Sequence, residues 1–289
     1  MPVIDTLEAV ASAELHPWND AFVPRDRVVV PRRLSSAQVD AYHGDGFLLV
    51  EDVFDPDRLA AVAAEIDPHE RRMNDLLQQL GGRVEVAAAD ALTVTLHLST
   101  FAPACRALAY EEAVADLAHD LVGPDVRLYW DQAVYKLPRN PDVVPWHQDN
   151  GYAYVEPQDY LTLWVPLVDA TLANGTVWVV PGGHRRGTLV HQKVECGQAC
   201  LPESTEGAVP VEAPAGSVIA FSSLTPHRTG PNDTDAVRSA YILQYAPDGA
   251  EVLEGDPAAG DPVRRFPCAD PGRQHPILVG GRWSPPAPL

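Results

Sequence analysis

Two histidines and one aspartate are the residues of this chain best suited to chemistry. His147 and Asp149 are separated by one residue, and His227 follows much later. In an extended segment side chains alternate between faces, so His147 and Asp149 would project the same way while Gln148 points away. Two imidazoles and one carboxylate can hold an iron ion from one side and leave coordination positions open. The spacing therefore predicts a mononuclear metal site.

The surroundings of His227 decide between this interpretation and a simpler one. A His-x-Asp pair alone is common by chance and usually marks a surface pair or a hydrogen-bonded histidine. His227, however, follows an apolar run at 217–221 and precedes a Gly-Pro-Asn turn at 230–232, after which an alternating run opens with Arg238. A strand, a reversal and a second strand would bring His227 and Arg238 onto neighbouring strands. Arginine is suited to hold a carboxylate through two parallel hydrogen bonds.

Five segments together resemble the phytanoyl-CoA dioxygenase family of Fe(II)- and 2-oxoglutarate-dependent oxygenases. They span about residues 35 to 245, and their order and spacing are more specific than any single motif. The segments are Asp45-Gly46-Phe47-Leu48-Leu49-Val50, Trp146-His147-Gln148-Asp149, Leu163-Trp164-Val165-Pro166-Leu167, Asn174-Gly175-Thr176-Val177-Trp178-Val179-Val180-Pro181-Gly182-Gly183-His184-Arg185, and Pro226-His227-Arg228-Thr229-Gly230-Pro231-Asn232 through Arg238.

The resemblance implies roles for six residues. His147, Asp149 and His227 would bind Fe(II), and Arg238 would bind the far carboxylate of the cosubstrate 2-oxoglutarate, because burying that carboxylate without a paired cation is costly. Thr229 matches the hydroxyl residue that assists the arginine, and Gln132 is also assigned to the cosubstrate site. The glutamine lies where relatives often place a polar residue near the metal-bound end of the cosubstrate; a polar group on a sheet face is its alternative.

The resemblance also implies a reaction. Such enzymes use O2 to convert 2-oxoglutarate into succinate and carbon dioxide and hydroxylate an unactivated C–H bond of a small-molecule substrate. Related iron halogenases carry a small residue where Asp149 stands, so hydroxylation is expected rather than halogenation. Thr95, His97 and Tyr152 are candidates for lining the substrate pocket.

Three alternatives remain open from the sequence. The same iron site would serve desaturation, cyclisation or epimerisation. A jelly-roll metalloenzyme that does not use 2-oxoglutarate would explain the three ligands but leave Arg238 and Thr229 without a purpose. A non-catalytic binding module would make the whole ligand arrangement a coincidence.

Charge and composition exclude several classes of partner. The chain of 289 residues has a net charge of −19, which repels nucleic acid and anionic membrane surfaces. No segment approaches the roughly 18 apolar residues of a membrane span. The first residues lack the pattern of a secretory signal, and four cysteines are too few for a disulfide framework. We therefore expect a cytoplasmic protein that acts on a small molecule; its oligomeric state is not indicated.

Helical patterns precede strand patterns along the chain, which argues against a doubly wound parallel sheet. Helices are expected at about 36–43, 56–66 and 68–80, with one or two more before residue 123. Strands are expected at 47–50, 91–98, 126–137, 143–149, 160–168, 175–180, 217–222 and 238–245. The resemblance makes the β part a double-stranded β-helix, or jelly roll. One domain is expected over 1–289, with a helical part at about 35–123, a jelly-roll core at about 124–250 and an extended Pro-rich tail at 251–289.

Overall fold

A computed structural model describes residues 8–19, 30–256 and 259–289 of the chain. The α-helices in these residues are α1 (Glu8–Ser12), α2 (Ser36–Asp45), α3 (Pro56–Gln79), α4 (Pro103–Ala109), α5 (Glu112–Leu121) and α6 (Asp149–Tyr152). Short 3-10 helices lie at Pro17–Asn19, Leu98–Thr100, Leu172–Asn174 and Gly183–Arg186.

Nineteen strands lie in the same described residues, and all their pairings are antiparallel. They are β1 (Phe47–Val50), β2 (Arg83–Val84), β3 (Ala87–Ala88), β4 (Leu92–Leu96), β5 (Val126–Lys136), β6 (Val144–His147), β7 (Tyr154–Glu156), β8 (Leu161–Pro166), β9 (Val177–Val179), β10 (Gln192–Val194), β11 (Gly197–Ala199), β12 (Val209–Val211), β13 (Val218–Ser222), β14 (His227–Thr229), β15 (Arg238–Pro247), β16 (Glu251–Glu254), β17 (Arg264–Pro267), β18 (Pro276–Val279) and β19 (Arg282–Trp283).

Two sheets form the core. The larger has the order β1-β13-β8-β15-β5-β4-β3-β2, and the smaller has the order β12-β9-β14-β6. Buried side chains from both sheets pack together between them, including Trp164, Val177, Val179, Phe221 and Ile242. The predicted jelly roll is confirmed by this architecture.

The helices cover the outer face of the larger sheet. Side chains at alternate positions of its strands, such as Leu163 and Leu243, pack with helical residues such as Leu59 and Ile66. Both faces of β8 and β15 are therefore buried. The period of two residues leaves the intervening positions, such as Arg238 and Ile242, for the space between the sheets.

The structure corrects the helix boundaries in one place. The expected first helix is confirmed and extends to Asp45, with Ser35 capping its start and Gly46 ending it at φ 83°. The predicted break at Asp67-Pro68 is wrong, because α3 runs unbroken through Pro68. Proline removes one helical hydrogen bond. Burial of Leu59, Val62, Ile66 and Leu77 along one face of α3 compensates for that loss.

The C-terminal region is not the extended surface tail that its prolines suggested. Strand β16 pairs with β7, and β18 pairs with β5 at one end of the larger sheet. Ile277 and Leu278 of β18 are buried in the main core. These apolar residues stabilise the segment in the sheet, whereas the sequence signal was dominated by the surrounding prolines.

Candidate active site

Two strands and one short helix place the three predicted metal ligands together. His147 ends β6 and is paired with His227, which begins the adjacent strand β14. Asp149 starts α6, directly after Gln148 in extended conformation. One ligand atom of each side chain lies within 4.8 Å of the others, and the cluster is almost entirely buried.

Backbone carbonyls fix which nitrogen of each histidine faces the cluster. Nδ1 of His147 lies 2.8 Å from the carbonyl oxygen of Pro145, and Nδ1 of His227 lies 3.0 Å from that of Thr225. A carbonyl only accepts hydrogen bonds, so Nδ1 carries the hydrogen in both rings and Nε2 keeps its lone pair. Burial, and the facing ring of His227, lower the pKa of His147 well below its usual value. Both rings are thus prepared to bind a cation.

The carboxylate of Asp149 is oriented from two sides. Its Oδ2 accepts a hydrogen bond from the hydroxyl of Thr162 at 2.5 Å, and its Oδ1 lies 3.7 Å from Nε2 of His227. Thr162 lies on β8 of the larger sheet. The metal-binding carboxylate is therefore held by the sheet opposite the two histidines.

Gln148 points away from the cluster, as predicted, and anchors the segment between the ligands. Its side-chain amide donates to the carbonyls of Gly187 and Leu224 and accepts from the backbone N–H of Leu189. Its backbone N–H donates to Nε2 of His191 at 2.9 Å. These bonds fix the backbone between His147 and Asp149.

A cavity of about 370 Å³ extends from the three ligands between the two sheets. At its closed end lie Thr229 and Arg238, with apolar side chains of the surrounding strands. The other end is lined by aromatic and amide side chains and by a hairpin turn. These residues are Tyr129, Trp130, Gln132, Tyr152, Tyr160, Gln244, Glu85 and Val86.

Arg238 is the most unusual residue of the closed end. It is fully buried, and its guanidinium carbon lies 5.4 Å from the ring centre of Trp164. Burial lowers its pKa to about 10. Among the described residues, none makes a hydrogen bond to Nε, Nη1 or Nη2. A buried guanidinium normally has an anionic partner, so this arrangement fits a carboxylate supplied by a ligand.

The route by which His227 and Arg238 approach each other differs from the expectation. They do not lie on neighbouring strands of a hairpin, because β14 belongs to the smaller sheet and β15 to the larger one. The strand that begins with Arg238 pairs instead with β5 and β8. The two residues meet across the cavity because the chain crosses between sheets before His227 and again after Thr229.

The predicted pocket residues have different outcomes. Tyr152 and Gln132 line the cavity; the ring of Tyr152 lies 5.3 Å from that of His147, and Gln132 accepts a hydrogen bond from the indole of Trp130. Thr95 does not line it. On β4 the cavity side chains are Leu92 and Val94, so alternation turns Thr95 towards the opposite face.

His97 also lies outside the cavity lining. Its backbone has a left-handed φ of 56°, which ends β4, and its ring packs edge-on against Trp130 at 4.3 Å between centroids. His97 therefore supports a cavity residue from behind. The alternating run at 91–98 predicted a strand that continues through His97, because positive φ is uncommon outside glycine.

Several residues in or behind the cavity lining were not predicted from the sequence. Lys136 is fully buried beside Thr229, and Thr162 orients the aspartate. Gln244 lies on the same strand face as Arg238 and Ile242. The available signal was period-two alternation from Arg238, which marks positions 242 and 244 as inward-facing.

In the described part of the chain, no helix is long and apolar enough to cross a membrane.

Comparison with known proteins gives a family match that spans most of the chain. The family model described as phytanoyl-CoA dioxygenase (PhyH) matches residues 42–240. Those residues contain all three predicted ligands, Thr229 and Arg238.

Two curated relatives each share 28% identity with the chain. One is the ectoine dioxygenase of Bordetella parapertussis, over 73% of this chain and 75% of the relative. The other is the probable alpha-ketoglutarate-dependent hypophosphite dioxygenase of Stutzerimonas stutzeri, over 62% of this chain and 61% of the relative. The match thus spans less than two thirds of the second relative.

Among solved structures, the chain resembles SnoK, a non-heme alpha ketoglutarate dependent carbocyclase from nogalamycin biosynthesis. The TM-score is 0.61 at 21% identity, covering 78% of this chain and 89% of SnoK. This likeness shows a shared fold.

Proposed function

This chain belongs to the phytanoyl-CoA dioxygenase family, and from that premise we propose that it is an Fe(II)- and 2-oxoglutarate-dependent dioxygenase. Its proposed reaction is hydroxylation of an unactivated C–H bond of a small molecule, with release of succinate and carbon dioxide. The observation that carries the proposal is the buried guanidinium of Arg238, which has no hydrogen-bond partner in the described part of the chain and lies in the same cavity as His147, Asp149 and His227. Metal ligands alone would fit many reactions, whereas this pairing fits a cosubstrate with a far carboxylate.

Each residue has a defined task in this proposal. Nε2 of both histidines and the Asp149 carboxylate would hold Fe(II), and Thr162 keeps the carboxylate oriented. Arg238 and Thr229 would bind the far carboxylate of 2-oxoglutarate at the closed end. Iron held by these residues would, with 2-oxoglutarate and O2, supply the oxidising power to hydroxylate an unactivated carbon. Burial of the surrounding side chains excludes water from that step.

The open end of the cavity supports a small organic substrate. Tyrosine, tryptophan and glutamine side chains offer aromatic faces and neutral hydrogen-bonding groups. Cavities of this size and composition are typical of small-molecule sites. Ectoine, named in the description of one relative, is an organic molecule and a first candidate for testing.

We also propose a cytoplasmic location. All four cysteines are unpaired, as expected in a reducing compartment. The net charge of −19 is consistent with the expectation that neither nucleic acid nor a membrane surface is a partner.

Anaerobic visible spectroscopy tests the proposed function. Fe(II)-loaded protein should develop a charge-transfer band that saturates with 2-oxoglutarate, and Arg238→Gln should weaken the apparent affinity by about 100-fold, as expected for loss of a buried charged pair. Arg264→Gln is the matched control, because Arg264 is exposed on β17. The control should titrate like the wild type.

Two results would redirect the proposal. Stoichiometric iron without a band would favour a metalloenzyme that does not use 2-oxoglutarate. A band together with succinate release but no hydroxylated product would favour desaturation, cyclisation or epimerisation. The resemblance to the carbocyclase SnoK is the reason to analyse products for ring formation.

A further inference from the structure

Lys136 is a buried basic side chain to which the proposed reaction gives no task. We propose that Lys136 is a positioning residue, which directs the hydroxyl hydrogen of Thr229 towards the far carboxylate of 2-oxoglutarate beside Arg238. The inference rests on the proposed function, because it concerns the same cosubstrate. It adds a specific requirement to that function, namely a lysine that never touches the cosubstrate.

The position of Lys136 sets it behind the closed end of the cavity. It is the last residue of β5 and is paired in register with Arg238 on β15. Both side chains are fully buried, and neither forms an ion pair with a described carboxylate. Two neighbouring buried basic side chains without a described anionic partner indicate a place where an anionic ligand binds.

The hydrogen bonds of Lys136 determine the orientation of the Thr229 hydroxyl. The ammonium nitrogen donates to the carbonyl oxygen of Asp142 at 2.9 Å, to Oγ1 of Thr229 at 3.3 Å and to the carbonyl oxygen of Gly230. A cosubstrate carboxylate bound beside Lys136 would favour the ammonium form, which has three N–H donors and no lone pair, so that its three acceptors satisfy it and Thr229 must accept. The hydrogen of Thr229 is then left to donate elsewhere.

The cavity is where that hydrogen can find an acceptor. Thr229 lines the closed end together with Arg238, and its hydroxyl donates to no described side chain or backbone group. A carboxylate bound by Arg238 would therefore accept from Thr229 as well. Hydrogen bonds to charged groups contribute more than neutral ones, so a fixed hydroxyl donor strengthens carboxylate binding.

A purely structural role is the alternative. Lys136 also joins β5 to the loop that carries Asp142 and to the turn at Gly230, so its loss could loosen both. The two roles differ in which part of the cosubstrate they affect. A positioning role acts on the far carboxylate alone, whereas a loosened site would weaken every ligand that binds the metal.

The experiment compares 2-oxoglutarate with 2-oxobutanoate, which lacks the far carboxylate. Dissociation constants are measured by anaerobic titration of the charge-transfer band in the Fe(II)-loaded wild type, Lys136→Met, Thr229→Val and the double variant. Each single variant should bind 2-oxoglutarate about ten-fold more weakly than the wild type. The double variant should bind it no more weakly than either single variant, because both substitutions remove the same hydrogen bond from Thr229 to the carboxylate. Affinity for 2-oxobutanoate should stay within about two-fold.

The contrary outcomes are distinct. Equal losses for both ligands in Lys136→Met, or losses that multiply in the double variant, would overturn the inference and leave the proposed function standing. Absence of any 2-oxoglutarate band in iron-loaded wild type would overturn both. Thermal unfolding of each variant checks folding, and Lys136→Gln, which keeps a donor in the polar pocket, replaces Lys136→Met if the latter does not fold.

Discussion

The two ends of the cavity are built on different physical principles. Arg238 and Thr229 line the closed end, and Lys136 lies behind them; all three side chains are buried. The open end includes the hairpin of β2 and β3, where Arg83, Val84 and Glu85 are exposed. A buried charged side chain can be replaced by few other residue types, whereas an exposed turn can form from many different sequences. We therefore expect the closed end to bind the cosubstrate and the open end to determine which substrate is accepted.

The largest expected effect comes from the carboxylate between the two ends. Asp149→Gly should reduce 2-oxoglutarate turnover by at least about 1,000-fold, because one of three metal ligands is lost. Succinate release and iron stoichiometry measure the effect. Glu51→Gln, an exposed acid remote from the cavity lining, serves as the control and should be unchanged. Retained activity in Asp149→Gly would remove the metal-ligand assignment.

A pair of apolar substitutions tests whether the closed end of the cavity is more rigid than the open end. Leu243 is fully buried on β15, the strand that carries Arg238, and Leu243→Ala should lower the free energy of unfolding by about 2–5 kcal/mol. Val84→Ala in the open-end hairpin should change it by less than about 0.5 kcal/mol, because Val84 is 48% exposed. Chemical denaturation gives both values. Similar losses at the two sites would contradict the division into a rigid and a tolerant end.

The smallest expected effect is a dependence of 2-oxoglutarate affinity on pH, which arises at the closed end alone. Burial, and then the positive charge of Arg238, lower the pKa of Lys136 to about 6, while Asp142 acts in the opposite direction. Bound 2-oxoglutarate, a dianion, would raise the pKa of Lys136. The 2-oxoglutarate affinity that protonated Lys136 contributes is therefore complete below pH 6 and is lost as the pH rises through the pKa of the bound state. The decrease is at most about ten-fold per pH unit.

Titration of 2-oxoglutarate binding between pH 6.5 and 8.5, roughly the window above the free pKa, measures this dependence. The wild type should lose affinity as the pH rises, and Lys136→Met should show a nearly constant affinity. A variant that follows the wild-type curve would assign the dependence to another group. The pH profile thus sharpens the comparison, since no lysine lines the open end among the described residues.

The local signals of the sequence predicted most elements. Ser35 and Gln38 form a capping box at the start of α2, where the sequence predicts a helix, and the alternating runs predicted β5, β8, β13 and β15 within a few residues. Helix caps and strand alternation depend on residues that are close together in the chain, so the sequence alone indicates them. Pro68 and the strand at 276–279 were misjudged, because burial against distant residues outweighed the local preference of proline.

For the site, the sequence by itself determined which residues carry the proposed chemistry: His147, Asp149 and His227 are residue types that bind a metal, and the family resemblance implies their role and that of Arg238. Only the tertiary structure decided that His227 and Arg238 face each other from opposite sheets, that Thr95 turns away from the cavity, and that Lys136 lies beneath Thr229. The physical reason is that contacts across a cavity depend on how two sheets stack. That stacking is set by burial summed over the whole core rather than by the spacing of residues along one strand.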